Sequence, residues 1–307
     1  MNKTLPFKLQ EIQGASDGPL LLITGGVHGD EFEPMAATRR LAKVVERDSL
    51  RGTLQLIPVV NESAFERRNR VAEDGLDLAR TFPGSLEGTV TERIADALSP
   101  LIQQADAYID LHTGGTCYTI LPLSGYTLHE DAHILEEQRR MARAFNLPTI
   151  WGTSAGLDGR SLSVARDAGV PAIYAEYHGA ASCGEQGVLD YVDGCLNVMA
   201  ELGMIDRDAP PSKVQHVVED DRPASGHFQI LNPSPCAGYF EPAVKLGQRI
   251  EAGQLIGTVC DPLGKQVQEI HSQQEGLVSM LRTHPRVEQD DSLAAILEVD
   301  RPLGGDR

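Results

Sequence analysis

Short, wholly apolar runs recur along the first two thirds of the chain, each closed by small or polar residues. Leu20, Leu21, Leu22 and Ile23 form the clearest of them, and an unbroken apolar run suits a strand buried on both faces of a parallel sheet. Gly25 and Gly26 let the backbone turn tightly after it. Pro34 stands where the first turn of a helix accepts proline, and Met35, Ala36, Leu41, Val44 and Val45 give that helix an apolar face. Further strands are expected over residues 53–60, 107–112, 148–152 and 171–179. Helices are expected over 91–104, with Pro100 marking a kink or break, from His129 to about Asn146, and over 159–168. Strands alternating with helices predict an α/β fold, a mixed and mostly parallel sheet flanked by helices.

The pattern changes at Pro210-Pro211. Short β runs with Gly and Pro turns take over at 214–218, 227–231, 238–240, 256–259, 277–280 and 294–299. Two domains are therefore expected, a catalytic one over 1–210 and an all-β, barrel-like one over 211–307. The stretch 244–257 resembles half of a biotinyl/lipoyl-type β-barrel. Such carriers present a lysine on an exposed hairpin, and the corresponding residues 266–276 contain none, so a carrier role is not expected.

Composition narrows the classes. A net charge of −17 disfavours nucleic acid, whose phosphates call for a basic surface. No apolar stretch approaches the roughly 18 residues of a membrane span, and no secretory leader is expected. Cys117, Cys183, Cys195, Cys236 and Cys260 are odd in number, scattered and without a CxxC pair, as in the reduced thiols of a cytoplasmic protein. Association with further copies of the chain is left open.

The candidate chemistry sits at strand ends. His28 and Glu31 follow the first apolar run at once, on the edge where open α/β sheets place their ligands. His112 closes the strand 107–112, so it can lie beside them in space. Two histidines and a glutamate form a three-ligand set typical of catalytic zinc, with the fourth position left for water. Asp110, on the same strand face as His112, can orient an imidazole from behind or cap a neighbouring backbone group. Alternation over 171–179 puts Ala172, Tyr174, Glu176 and His178 on one face. A carboxylate at the end of a buried strand must be paired, protonated or functional, which makes Glu176 a candidate general base. His178 is expected at the site edge or in a structural role.

Residues 61–80 form a long irregular segment carrying Arg67, Arg68, Arg70 and Arg80, and such a segment is unusual unless it lines a site. Arg70 and Arg80 are expected to act on substrate, and Arg67 and Arg68 to be surface. His129 and His133, four apart on a charge-rich face, are expected at the surface.

Taken in order, Gly25-Gly-Val-His28-Gly-Asp-Glu31, Asp74-Gly-Leu-Asp77-Leu-Ala-Arg80 with Phe82-Pro-Gly84, Ile109-Asp110-Leu-His112-Thr-Gly-Gly115 and Ala175-Glu176-Tyr-His-Gly179 resemble the succinylglutamate desuccinylase/aspartoacylase family. The resemblance spans about residues 20–300. It implies a zinc-carboxypeptidase-like fold and an amidohydrolase holding one Zn²⁺ per chain through His28, Glu31 and His112. It further implies Glu176 as base and proton shuttle, Arg70 as the group polarising the scissile carbonyl, and Arg80 as the grip on a substrate carboxylate, with Asn61 and Asp77 also binding substrate. The β-domain would cover the mouth of the site, with Tyr239 packing there. One departure stands out: the family's Asp-Leu-Asn-Arg reads Asp77-Leu78-Ala79-Arg80, so an amide that helps hold the carboxylate is missing. Asn61-Glu62 likewise replaces the usual Asn-Pro. The expected function is hydrolysis of a small N-acylated amine or amino acid other than succinylglutamate or N-acetylaspartate. The alternatives are a carboxypeptidase or amidase acting on a peptide-like substrate, and a non-catalytic zinc-binding scaffold.

Overall fold

The structure, a computed structural model, describes residues 5–223, 225–228 and 231–299. Its strands are β1 (Gln10–Gln13), β2 (Ser16–Thr24), β3 (Arg51–Ile57), β4 (Ala107–Thr113), β5 (Tyr118–Thr127), β6 (Thr149–Thr153), β7 (Ala172–Gly179), β8 (His216–Glu219), β9 (Gly238–Pro242), β10 (Arg249–Ile250), β11 (Leu255–Cys260), β12 (Gln268–His271), β13 (Gly276–Arg282), β14 (Arg286–Val287) and β15 (Ala294–Leu297). The α-helices are α1 (Phe32–Val44), α2 (Glu62–Glu66), α3 (Val90–Gln104), α4 (Ala132–Phe145), α5 (Ser161–Ala168) and α6 (Glu185–Glu201).

The large sheet runs β1-β3-β2-β4-β7-β5-β13-β10, with β6 joining β5 to β8 and β15 lying on β13. Its centre is parallel, because β2 pairs with β3 and β4, and β4 with β7, in the same direction. Helices cover both faces. Leu41, Met141, Phe145, Tyr191 and Val198 from α1, α4 and α6 pack on one side. Ile94, Leu98, Leu162 and Ala165 from α3 and α5 pack on the other. Burial on both faces is why Leu21, Leu22 and Ile23 can all be apolar.

A separate antiparallel sheet, β12-β11-β9-β14, is built wholly from the later part of the chain. That part also extends the large sheet: β8 pairs with β6, and β13 lies against β5 with Met280 opposite Ile120. The run expected at 227–231 includes 229 and 230, which lie outside the described residues. The β11–β12 hairpin turns over 261–267 and carries Lys265 at its tip, one residue before the lysine-free stretch 266–276. The missing lysine is thus a feature of the β12 arm and not of the hairpin.

Several elements differ from the expected ones. α3 runs through Pro100 unbroken, and the Ser99 hydroxyl bonds back to Ala95 O at 2.8 Å beside it. α4 begins at the Asp131 cap, which accepts from His133 and Ile134 N–H, so His129 stands before the helix. Among the described residues no helix is long and apolar enough to cross a membrane.

The loop from β2 to α1 is pressed against α2. A Cβ on Gly29 would lie 2.1 Å from Ala64 C and 2.3 Å from Phe65 N, inside backbone that cannot yield. Gly29→Ala is therefore expected to destabilise the protein by about 3 kcal/mol or more, read as a lowered urea midpoint. An unchanged midpoint would show that the loop has room to shift.

Candidate active site and metal centre

The site forms where the carboxyl ends of β2, β4 and β7 come together. Register does most of this, since His112 on β4 stands directly beside Glu176 on β7. Glu31 is the N-cap of α1, and it and His28 are only 1 % and 3 % exposed. The Glu31 carboxylate lies between two imidazoles, Oε1 2.7 Å from His28 Nδ1 and Oε2 3.1 Å from His112 Nδ1. Thr113 N–H donates to the same Oε2 at 3.0 Å.

Both rings are also held from behind. His28 Nε2 is 3.0 Å from Asp77 Oδ1, and His112 Nε2 is 3.1 Å from Asp110 Oδ2. A carboxylate on the outer nitrogen fixes the tautomer and orientation of an imidazole ligand. Asp110 is itself secured by the hydroxyls of Thr24 and Ser161. One ligand atom from each of His28, Glu31 and His112 lies within 4.8 Å of the others, and among the described residues this is the group that could hold a metal ion. Four-coordinate bonds of about 2.0–2.1 Å put donors roughly 3.3 Å apart, so two nitrogens and one oxygen at these spacings fit a single divalent ion.

The electrostatics agree with a cation site. Burial opposes ionising Glu31, yet His28 and His112 hold its carboxyl far below the ordinary carboxylate range. Burial also opposes charging His112, but Asp110 and Glu31 raise its pKa well above that of a free histidine. Without a metal, a proton on His112 takes the place of the ion's charge. Glu176 behaves differently: burial outweighs the pull of His112 and lifts its pKa to about 8. Its Oε2 is closed off from solvent and has no hydrogen-bond partner.

Arg70 and Asp77 act together. The Arg70 Nε and Nη2 donate to Asp77 Oδ2 at 3.3 and 3.1 Å, and Nη1 lies 3.5 Å from Glu31 Oε1. Asp77 Oδ1 meanwhile faces His28 and accepts from Ala79 N–H at 2.9 Å. Asp77 thus fixes one imidazole and one guanidinium at once. Asp77→Asn is expected to weaken metal affinity by about 10–100-fold, measured by competition with a chelating dye. An unchanged affinity would make the Asp77–His28 contact irrelevant to the site. Asn61 lies deeper: fully buried, it caps α2 by accepting from Ala64 N–H at 3.0 Å.

A cavity of about 80 Å³ opens beside the cluster. His28, Glu31, His112, Arg70, Arg80, Ala79 and Glu176 all line it, whereas Asn61 and Asp77 do not. Arg67, Arg68 and His133 are exposed, and His129 bonds to Arg166 O at 3.2 Å. His178 is exposed against Tyr177, and Tyr239 is 48 % exposed on β9.

Sequence reasoning missed Arg160, which shares the cavity wall with Arg80. Burial, then the charge of Arg160, draws the Arg80 pKa down to about 10. Two half-buried guanidinium groups repel, and a bound carboxylate would relieve both. Beside Arg160, Gly159, with a left-handed φ of 78°, packs so close to the Arg80 carbonyl that a Cβ would stand 2.6 Å from it, a contact that the sequence does not announce. Tyr174, expected on the strand face of Glu176, shares the wall, as do Gly226, Phe228 and Met280 from the later part of the chain, which were not foreseen.

Fold and site together define an α/β protein with a candidate metal centre at the carboxyl edge of its parallel strands. The chain belongs to the succinylglutamate desuccinylase/aspartoacylase family, whose catalytic-domain model matches residues 17–202. It is 29 % identical over 297 residues to the N-α-acetyl-L-2,4-diaminobutyric acid deacetylase of Halomonas elongata, covering 94 % of this chain and 84 % of that protein. A product-bound structure of the ectoine utilisation protein EutE (DoeB) of Ruegeria pomeroyi is similar, with a TM-score of 0.85 and 27 % identity over 94 % of this chain and 87 % of that one. The fold is shared with a succinylglutamate desuccinylase of Silicibacter sp. TM1040, at a TM-score of 0.86 and 24 % identity over 96 % and 89 % of the two chains. The Halomonas elongata relative and the family itself are named for removing acyl groups, so amide hydrolysis is the chemistry of the family.

Proposed function

We propose that this protein is a zinc-dependent amidohydrolase that removes a small acyl group from an N-acylated amino acid. The observation that carries the reading is the Glu31 carboxylate held between two inward-facing Nδ1 atoms, with Glu176 in register beside His112. Zinc, when bound by His28, Glu31 and His112, supplies a Lewis acid that polarises a carbonyl and acidifies water to a pKa of about 7. The chain's own residues supply the rest. Glu176, in register beside His112, takes a proton from the attacking water and hands it to the leaving amine, the bound cation favouring its ionised form. Arg70, locked by Asp77, stabilises the charge that develops on the scissile carbonyl oxygen. Arg80 and Arg160 hold the substrate carboxylate.

Size supports a small substrate over a peptide. The cavity beside the cluster is only about 80 Å³. By analogy with the Halomonas elongata deacetylase, N-α-acetyl-L-2,4-diaminobutyrate is the first substrate to try. The zinc-loaded protein should release acetate from it faster than it cleaves an N-acetylated dipeptide or N-succinyl-L-glutamate. Cleavage of the peptide bond alone would favour a peptidase, and zinc binding without hydrolysis would favour a scaffold.

A further inference from the structure

The proposed amino-acid reading leaves a hydrogen-bond donor to be found. Ala79 lines the cavity beside Arg80, and its methyl group offers nothing to a carboxylate. A phenol on the sheet side of the cavity has a donor to give. Tyr174 shares the wall with Glu176, Arg80 and Arg160. It stands two residues before Glu176 on β7, and alternation along a strand turns both side chains to the same face. Within the sheet it lies between Asp110 of β4 and Gly125 of β5. Gly125 makes room for it, since a Cβ there would stand 2.5 Å from Cε1 and Cζ of the ring. The ring is thus laid over β5 and placed by the sheet itself.

The tyrosines on the neighbouring elements are satisfied within the protein. The Tyr108 hydroxyl pairs with Thr24 Oγ1 at 2.8 Å, Tyr126 donates to Glu219 at 2.6 Å and Tyr177 donates to Asp190 at 3.0 Å. Tyr191 donates to the His112 carbonyl, and Tyr118 accepts from Arg282 Nη1 at 3.2 Å. The Tyr174 hydroxyl has no hydrogen-bond partner among the described residues, and it is not one of the polar atoms closed off from solvent. A phenol in a cavity wall with its O–H unspent is placed for a ligand. The charges around it say which kind. Burial and then the charge of Glu176 raise its pKa, which keeps the proton on, while Arg160 is close enough to pull the other way. A neutral O–H beside a guanidinium group suits an anion that the guanidinium also holds, whereas an ammonium group would be repelled there.

We infer that Tyr174 is a specificity-determining residue whose hydroxyl donates a hydrogen bond to the substrate carboxylate at Arg80 and Arg160, supplying the donor that Ala79 lacks. The inference rests on the proposed amino-acid substrate, and its test separates the two. Zinc-loaded Glu176→Gln protein, which should bind ligands without cleaving them, is titrated calorimetrically with two compounds. One is N-α-acetyl-L-2,4-diaminobutyrate, and the other is N-acetyl-1,3-diaminopropane, the same molecule without its carboxylate. With Tyr174 in place the acid should bind more tightly than the decarboxylated compound. Adding Tyr174→Phe should weaken the acid by about tenfold and leave the other ligand unchanged, because a hydrogen bond to a charged group is lost while the ring stays. Equal weakening of both ligands would make Tyr174 a packing residue of the pocket, and unchanged binding of the acid would leave its hydroxyl without a role. Either result overturns the inference and leaves the amino-acid reading standing. Failure of the protein with Tyr174 to prefer the acid over the decarboxylated compound overturns both.

Discussion

Replacing Glu176 by glutamine is expected to lower turnover by about 10²–10⁴-fold while the protein keeps its metal, because the change removes a proton acceptor and none of the three ligands. The same substitution should stabilise the metal-free protein, and the gain should depend on pH. In the folded chain the Glu176 pKa is raised from 4.5 to about 8. Below the unfolded value both states are protonated and the group contributes equally to each. Between the two values the unfolded chain ionises while the folded chain does not, so wild type loses up to about 1.4 kcal/mol of stability per pH unit. Glutamine has no such loss. The advantage of Glu176→Gln should therefore grow as pH rises from about 4.5 to about 8 and then level off. Zinc should shrink it, since a nearby cation favours the ionised carboxylate. Urea unfolding of both chains across this range checks the slope, and a pH-independent difference would mean that Glu176 is already ionised in the metal-free site.

Metal removal is the second large effect. Chelation should abolish hydrolysis, and re-addition of zinc should restore it. Binding should also release protons, because an imidazole must be neutral to ligate and His112 carries a proton in the metal-free state. At pH 7 about one proton per ion is expected from His112, with more as Glu176 responds to the new charge. Calorimetry in buffers of different ionisation enthalpy counts them. Zinc uptake with no proton release would mean that His112 is neutral beforehand and that Asp110 and Glu31 do not outweigh its burial.

The cluster of His28, Glu31 and His112 was legible because each member follows or ends an apolar run. Leu20 to Ile23 announce a strand end, His28 and Glu31 follow it, and the run before His112 does the same. Parallel register then turns separate strand ends into one site, as His112 and Glu176 illustrate. β5 was not legible. It is the longest strand, yet Pro122 and Gly125 interrupt its pattern. Gly125 is there because a Cβ would strike the Tyr174 ring at 2.5 Å, a tertiary reason invisible to local periodicity. α6 also escaped notice, although it buries Val188, Tyr191 and Val198 against the sheet. Asn61 and Asp77 show the limit of motif reasoning: a motif marks positions but not directions. Asp77 points to His28 and Arg70, and Asn61 to the backbone of α2. Gly226 and Phe228 join the cavity wall from far along the chain, where Arg160 donates to the Gly226 carbonyl, a contact that no short pattern encodes.

The most direct test of the metal centre is the initial rate of acetate release from N-α-acetyl-L-2,4-diaminobutyrate, followed as zinc is titrated into chelated protein. A rate rising in proportion to added zinc and flattening at one ion per chain is the result expected of His28, Glu31 and His112 acting as a single catalytic site. A rate that is already full before zinc is added, or that stays at zero after one ion per chain is bound, would contradict it.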